Sequence, residues 1–273
     1  MYDSRRFNKA SSKIVKRRVI KRRATFFTKV ATFPTLLILL VVFLRADFLK
    51  IKNFDISGTQ TVSQEEIKNV TANFISGNTF LVIPKSNILV LSKEKLVKKL
   101  LAAFPRLETV IVNKEIFSRQ IKLEVSERRA DFLWCIDDGS ECFFMDKNGL
   151  VFEKVFDLQS TELADKIVFK GILIGNPLLQ NFASPEKMKN YSDLISALNN
   201  AGLKVLVMNF ESPDKAVAKT ETGDIIFNPD ENNFAVPVQN TMLLINETKS
   251  KNPAVQFQYI DTRFGNKVFY KLL

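Results

Sequence analysis

Ile51-Lys-Asn-Phe54-Asp-Ile56-Ser-Gly58 alternates apolar and polar residues and ends on glycine, which reads as a half-buried strand and then a turn. Ser63-Gln-Glu-Glu66 follows as a capping box, in which the side chain at each end can satisfy the other's backbone N–H. Ile67, Val70 and Phe74 then recur at helical spacing, and Gly77-Asn78 stops the helix. A second helix is expected from Ser92, with Leu96, Leu100 and Phe104 on one stripe and Pro105 at its end. Leu107–Asn113 predicts a strand through Val110 and Val112. Ile121-Lys-Leu123-Glu-Val125-Ser alternates strictly, so that strand buries one face. The order is β-α-α-β-β, and Phe80–Leu91, between the helices, is an apolar loop or a short strand.

Upstream of this module the chain changes character. Val30–Leu44 reads VATFPTLLILLVVFL, carries no charge and is followed by Arg45. Extended back to Ala24, the stretch reaches about 31 Å as a helix, enough for about 30 Å of hydrocarbon, with Lys29 able to snorkel to the headgroups. Residues 1–29 hold 11 Lys and Arg against one acid, Asp3, whereas the remaining chain is almost neutral. A cleaved signal peptide, a mitochondrial transit peptide and a buried core helix compete with a retained span. The first lacks an A-x-A-like site after Leu44, the second is not followed by such an apolar run, and the third has the wrong flanks. Basic residues favour the cytoplasmic side, so residues 1–29 are expected inside and everything after Arg45 outside. The basic stretch touches anionic lipid or is a plain retention tail. Positive charge confined to a leader also argues against a nucleic-acid binder, which spreads it over a folded face.

Downstream, Phe132–Cys135, Cys142–Asp146 and Leu150–Glu153 are short strands separated by the turn dipeptides Asp138-Gly139 and Asn148-Gly149. Counting outward from the first turn places Cys135 opposite Cys142, within disulfide reach, and an extracytoplasmic compartment permits the bond. Two reduced, buried thiols are the alternative. Lys166–Ile174 is strand-like and broken at Gly171. Ser184-Pro185-Glu186 opens a helix carrying Met188, Tyr191, Leu194, Ile195 and Leu198. Lys204–Phe210 and Asp224–Asn228 predict strands, and Phe234–Lys249 a helix in its second half, after Pro237. Phe257–Phe264, a turn at Gly265-Asn266 and Lys267–Leu273 close the chain as a ribbon.

Catalytic chemistry finds few candidates. Histidine is absent, which removes Ser-His-Asp and Cys-His mechanisms and imidazole metal sites, and two cysteines cannot form a four-thiolate site. No phosphate-cradling glycine motif and no G-x-S-x-G occurs. The acidic pairs Asp137-Asp138 and Asp230-Glu231 sit beside turn residues. No cofactor, metal or small-molecule substrate is expected. The last segment, Lys267-Val-Phe269-Tyr-Lys-Leu-Leu273, is the best edge strand for accepting another chain, with Val268, Tyr270 and Leu272 on one face and Phe269 on the other. The competing reading is a protected edge, with Lys267 and Lys271 as gatekeepers.

Ile51–Gly58, Thr61-Val-Ser-Gln-Glu-Glu-Ile67, Phe104-Pro105 and Leu123-Glu-Val125-Ser-Glu127-Arg128-Arg129 together resemble the POTRA domain. Its setting after one span and a basic leader resembles the FtsQ/DivIB-type bacterial cell-division proteins. Glu127-Arg-Arg129 before an aromatic run with Trp134, and Tyr259-Ile-Asp261-Thr-Arg263-Phe264, add to that resemblance, whereas Ala130 stands where the family usually has proline. The resemblance implies an α+β chain with a single transmembrane helix, then a βααββ POTRA domain and a mixed, mainly-β domain with helices. The segments would be a basic cytoplasmic tail at 1–29, a transmembrane helix at 30–45, POTRA at 48–129 and the β-domain at 130–273. It implies a non-enzymatic divisome scaffold at the cytoplasmic membrane and division septum, with its carboxyl-terminal region outside. Its partners would be small single-pass coiled-coil proteins, FtsB/DivIC- and FtsL-like, docked by β-augmentation at the last strand. Phe264, Val268, Phe269 and Tyr270 would be the anchors, and charges at Phe269 and Tyr270 would abolish binding. The alternatives are a membrane-anchored cell-wall enzyme or sensor, and a secretion-assembly POTRA protein.

Overall fold

The structure, a computed structural model, describes residues 32–79, 82–136, 138–157, 163, 165–265 and 267–273. The basic tail at 1–29, the start of the apolar stretch, Asp137 and Asn266 lie outside the described residues. The chain is α+β and divides into two units, Met1–Ala103 with Thr109–Ser126, and Phe104–Glu108 with Glu127–Leu273.

The first unit begins with helix α1, residues 32–44. Among the described residues no helix is long and apolar enough to cross a membrane, and the 24–31 part of the expected span is not described. A 3-10 turn, Asp47–Leu49, leads to β1 (Asn53–Ser57). Helix α2 (Gln64–Phe74), the two-residue strands β2 (Asn78–Thr79) and β3 (Ile83–Pro84), helix α3 (Lys93–Ala103), β4 (Leu107–Glu115) and β5 (Gln120–Glu127) follow. Strand order is β1-β5-β4, with β1 parallel to β5 and Phe54 opposite Ile121. Ile67, Leu96, Leu100, Ile121 and Leu123 are completely buried. Ser63 takes the N-cap position of α2, but its side chain makes no capping hydrogen bond, so the expected capping box is not closed. Both Ser63 and Glu66 are exposed, and water can serve the helix end. Gly58 turns the chain out of β1 at φ +89°, where a Cβ would lie 2.0 Å from the carbonyl oxygen of Val125.

In the second unit nine described strands form one mixed sheet. They are β6 (Phe132–Cys135), β7 (Cys142–Met145), β8 (Val151–Lys154), β9 (Val168–Lys170), β10 (Val205–Ser212), β11 (Lys215–Thr220), β12 (Gly223–Phe227), β13 (Phe257–Phe264) and β14 (Lys267–Leu272). The order is β14-β13-β12-β11-β10-β9-β6-β7-β8. Helix α4 (Pro185–Asn200) joins the parallel pair β9 and β10, and helix α5 (Ala235–Lys251) joins the parallel pair β12 and β13. Parallel neighbours need such crossovers. Both crossovers step the same way along the sheet between strands of the same direction. The right-handed rule therefore puts both helices on one face.

Directly opposed residues share a face, and two rows of them run across the sheet. Tyr270, Ile260, Ile225, Ala218, Met208, Phe169, Trp134 and Phe143 are in register on the helix side, and all but Tyr270 are in the main core. The adjacent row is Phe269, Asp261, Ile226, Val217, Asn209, Lys170, Cys135 and Cys142, on the opposite face. There the two half-cystines pack in a small cluster with Leu133 and Val155.

Several expectations need correction. Lys215–Thr220 is a central strand that the sequence reading passed over. Lys166–Ile174 shrinks to the three residues of β9, and Ile172 and Ile174 are exposed beyond Gly171. Helix α5 starts before Pro237, which lies in the first turn, where no intrahelical partner is missed.

Helix α4 follows the cap-then-proline reading. Ser184 accepts from the Lys187 N–H, and Met188, Tyr191, Leu194, Ile195 and Leu198 are buried. The Tyr191 hydroxyl donates to the Pro229 carbonyl at 3.1 Å, and burial, helped by the Asp230 carboxylate, pushes its pKa to about 12. A phenol so raised keeps its proton where the unfolded chain has lost it. Its contribution is intact below pH 10 and falls as pH rises to about 12, by roughly 3 kcal/mol at most. Urea titrations at pH 9 and pH 11.5 should show this fall in the parent and a much smaller one in Tyr191→Phe.

Candidate docking edge of the nine-stranded sheet

The sheet has two edge strands, and the chain treats them differently. Along β8, Val151 donates to the Gln180 carbonyl at 2.9 Å and accepts from the Leu179 N–H at 2.7 Å, while Phe182 donates to the Gly149 carbonyl at 2.8 Å. The segment 179–182 therefore covers the start of that edge. Along β14 the situation is set by one bond: Leu273 donates its N–H to the Gln256 carbonyl at 3.0 Å, so it faces β13. Successive strand residues turn their N–H and C=O to opposite sides, and the register irregularities here are extra residues in β13. Lys271 and Phe269 thus face β13, and the backbone groups of Leu272, Tyr270 and Val268 point outward.

The four expected anchors do not form one patch. The side chain of Val268 packs on the main core and the Tyr270 ring meets Phe257 edge-on at 5.9 Å, both on the helix side. Phe264 and Phe269 meet edge-on at 5.2 Å, each more than half exposed. Phe269 belongs to the open-face row.

A polar group holds this second pair in place. Asp261 is buried, and its carboxylate takes the Arg263 guanidinium at both oxygens, at 3.0 and 2.8 Å. The guanidinium lies over the Phe264 ring at 5.4 Å, and its hydrogen bonds to the Asp261 carboxylate hold the Arg263 pKa above its ordinary value. Sequence reading cited Asp261 and Arg263 only for the family match and missed this positioning; the two-residue spacing on one strand was the available signal. Lys267 and Lys271, the expected gatekeepers, are both exposed beside the aromatic pair. The edge thus offers outward backbone groups, apolar rings on both faces and flanking cations. Such a set can pair a β-strand and seat its alternate side chains.

No family model matches this chain, and no curated protein matches it.

Elsewhere on the open face an open concavity of about 460 Å³ is lined by Lys170, Ile172, Val207, Asn209, Phe210, Glu211 and Lys219. Charges of both signs line it, with no hydroxyl or thiol nucleophile beside a base. No group of three His, Cys, Asp or Glu that could hold a metal occurs among the described residues. Asp230 is paired with Lys187 on the surface.

Cys135 and Cys142 are opposed in β6 and β7 and joined by a disulfide, with Cα atoms 4.1 Å apart. The ring it closes spans seven residues of separation, so the chain-entropy contribution is about 2.5 kcal/mol. Cys135→Ser with Cys142→Ser should lower unfolding stability by roughly that amount and leave the native near-ultraviolet dichroism intact. Loss of the native spectrum would mean that the pair is needed to fold the hairpin.

Proposed function

We propose that the chain is a membrane-anchored, non-enzymatic scaffold of bacterial cell division, of the FtsQ/DivIB type. It lies in the cytoplasmic membrane at the septum, with its tail inside and both folded units outside. Its partners are the small coiled-coil proteins of the divisome, FtsB/DivIC- and FtsL-like, one of which adds a strand to β14. The observation that carries this reading is the asymmetry of the sheet: the start of the β8 edge is covered by 179–182, whereas β14 presents outward backbone groups flanked by exposed rings. The first unit supports it as well. Its β1 lies parallel beside β5, two helices intervene, and β4 and β5 form a hairpin, as expected of a POTRA domain.

The test is co-purification of the full chain, extracted from membranes, with co-expressed coiled-coil division proteins from the same source. Removal of Lys267–Leu273 should abolish recovery of the partner. Undiminished recovery would refute docking at β14, and delocalisation of neither chain from the septum on deletion would refute the scaffold reading.

A further inference from the structure

The carboxyl end of α1 is fastened to the first unit. Asn87 is completely buried, donates its amide to the Leu44 carbonyl at 2.6 Å and accepts from the Leu89 N–H at 2.8 Å. Leu44 closes α1, and last-turn carbonyls have no partner inside their helix. Ile88 donates to the Leu49 carbonyl and Ile51 to the Ser86 carbonyl, each at 2.9 Å. The β4–β5 turn is tied to the same segment. Lys52 donates to the Arg119 carbonyl at 2.9 Å, and the Arg119 guanidinium reaches the Asp47 carbonyl at 3.4 Å. This end of the unit is therefore held a few residues from the apolar helix.

What it presents is amphipathic. Phe117 is completely exposed, Ile116 and Phe48 about half, and the Phe48 ring touches Phe43 of α1 at 5.7 Å. The apolar surface thus continues from the exposed Leu36, Leu40 and Phe43 onto the unit. Lys50, Lys52 and Arg119 lie around it. Asp47 is paired with Lys50 at 2.6 Å, and Glu115 of the hairpin is taken by Lys122 at 2.7 Å.

We infer that this end of the first unit rests on the anionic headgroups of the bilayer that α1 enters. Phe48, Ile116 and Phe117 insert at the interface, and Lys50, Lys52 and Arg119 face lipid phosphate. Aromatic rings favour that depth, and basic residues near it are drawn to anionic lipid. The inference rests on the membrane-anchor reading. A lipid occupant is favoured over a protein because the apolar surface is continuous with the helix that would lie in hydrocarbon.

Bromolipid quenching of tryptophan fluorescence tests it on the full chain in nanodiscs. The parent has one tryptophan, Trp134, buried at 3% exposure, which supplies the background. Ile38→Trp reports the helix and Phe117→Trp reports the hairpin. In bilayers of brominated phosphatidylglycerol both variants should be quenched about twofold above background. The hairpin signal should weaken in purely zwitterionic bilayers and with Lys50→Glu plus Lys52→Glu. Quenching of Ile38→Trp with background signal at Phe117→Trp would overturn this inference and leave the anchor standing, as a protein partner on the hairpin would. Background signal at both positions would overturn the two together.

Discussion

If a partner strand docks on β14 as proposed, Tyr270→Pro should lower its affinity by ~100-fold or more, whereas Tyr270→Ala should lower it about tenfold. The difference isolates the backbone. Both substitutions remove the ring that meets Phe257, but only proline removes the N–H that points away from β13. A paired strand would then leave one carbonyl unsatisfied, at ~1–3 kcal/mol, beside a ring that blocks close approach. The β13–β14 ladder should survive, because proline is tolerated on an edge strand where its nitrogen faces solvent. Affinity is measured on the full chain in nanodiscs against the proposed coiled-coil partner, reconstituted beside it. Equal affinities for the proline and alanine variants would mean that side chains alone hold the partner, and β-augmentation would be wrong.

Gly58→Ala destabilises the first unit by ~4 kcal/mol, while Gly77→Ala costs only ~1 kcal/mol. Both glycines have positive φ, +89° and +81°, so both replacements carry left-handed strain. They differ in what a Cβ would meet. At Gly77 nothing lies within 4 Å, but at Gly58 the Val125 carbonyl oxygen would be 2.0 Å away. That carbonyl belongs to β5, the central strand of the three, so relief requires moving the sheet itself. Hydrogen exchange of the β5 amides reads the effect directly. Equal protection in the two variants would mean that the β1 exit relaxes without cost.

Much of this architecture was legible in the sequence where one local rule acts alone. Strict alternation in Ile121–Ser126 marked β5, and Ser184-Pro185 marked the start of α4. The reading failed where long-range packing decides. Lys215-Ala-Val-Ala-Lys-Thr220 has little intrinsic strand preference, yet it is the fourth strand from the β14 edge. Ala216 and Ala218 are completely buried on the helix side, where small side chains admit the crossover helices closely. Pro237 was read as a barrier because proline breaks helix interiors, but three residues into α5 it costs no hydrogen bond. At the docking edge the aromatics were legible from composition. Alternation already set Phe269 apart from Val268 and Tyr270, but that Phe264 joins Phe269 depends on the extra residue in β13, which no local pattern announces. The cover over β8 comes from residues about 30 positions downstream and was equally hidden.

That cover has a consequence for self-association. Sheets that accept chains on both sides can propagate, each guest becoming the template for the next, until a filament forms. With 179–182 bonded to Gly149 and Val151, the start of β8 is closed to a further strand. Copies of this chain are thereby hindered from laying the β14 of one against the β8 of the next, so head-to-tail stacking of host on host lacks a clean template at that side.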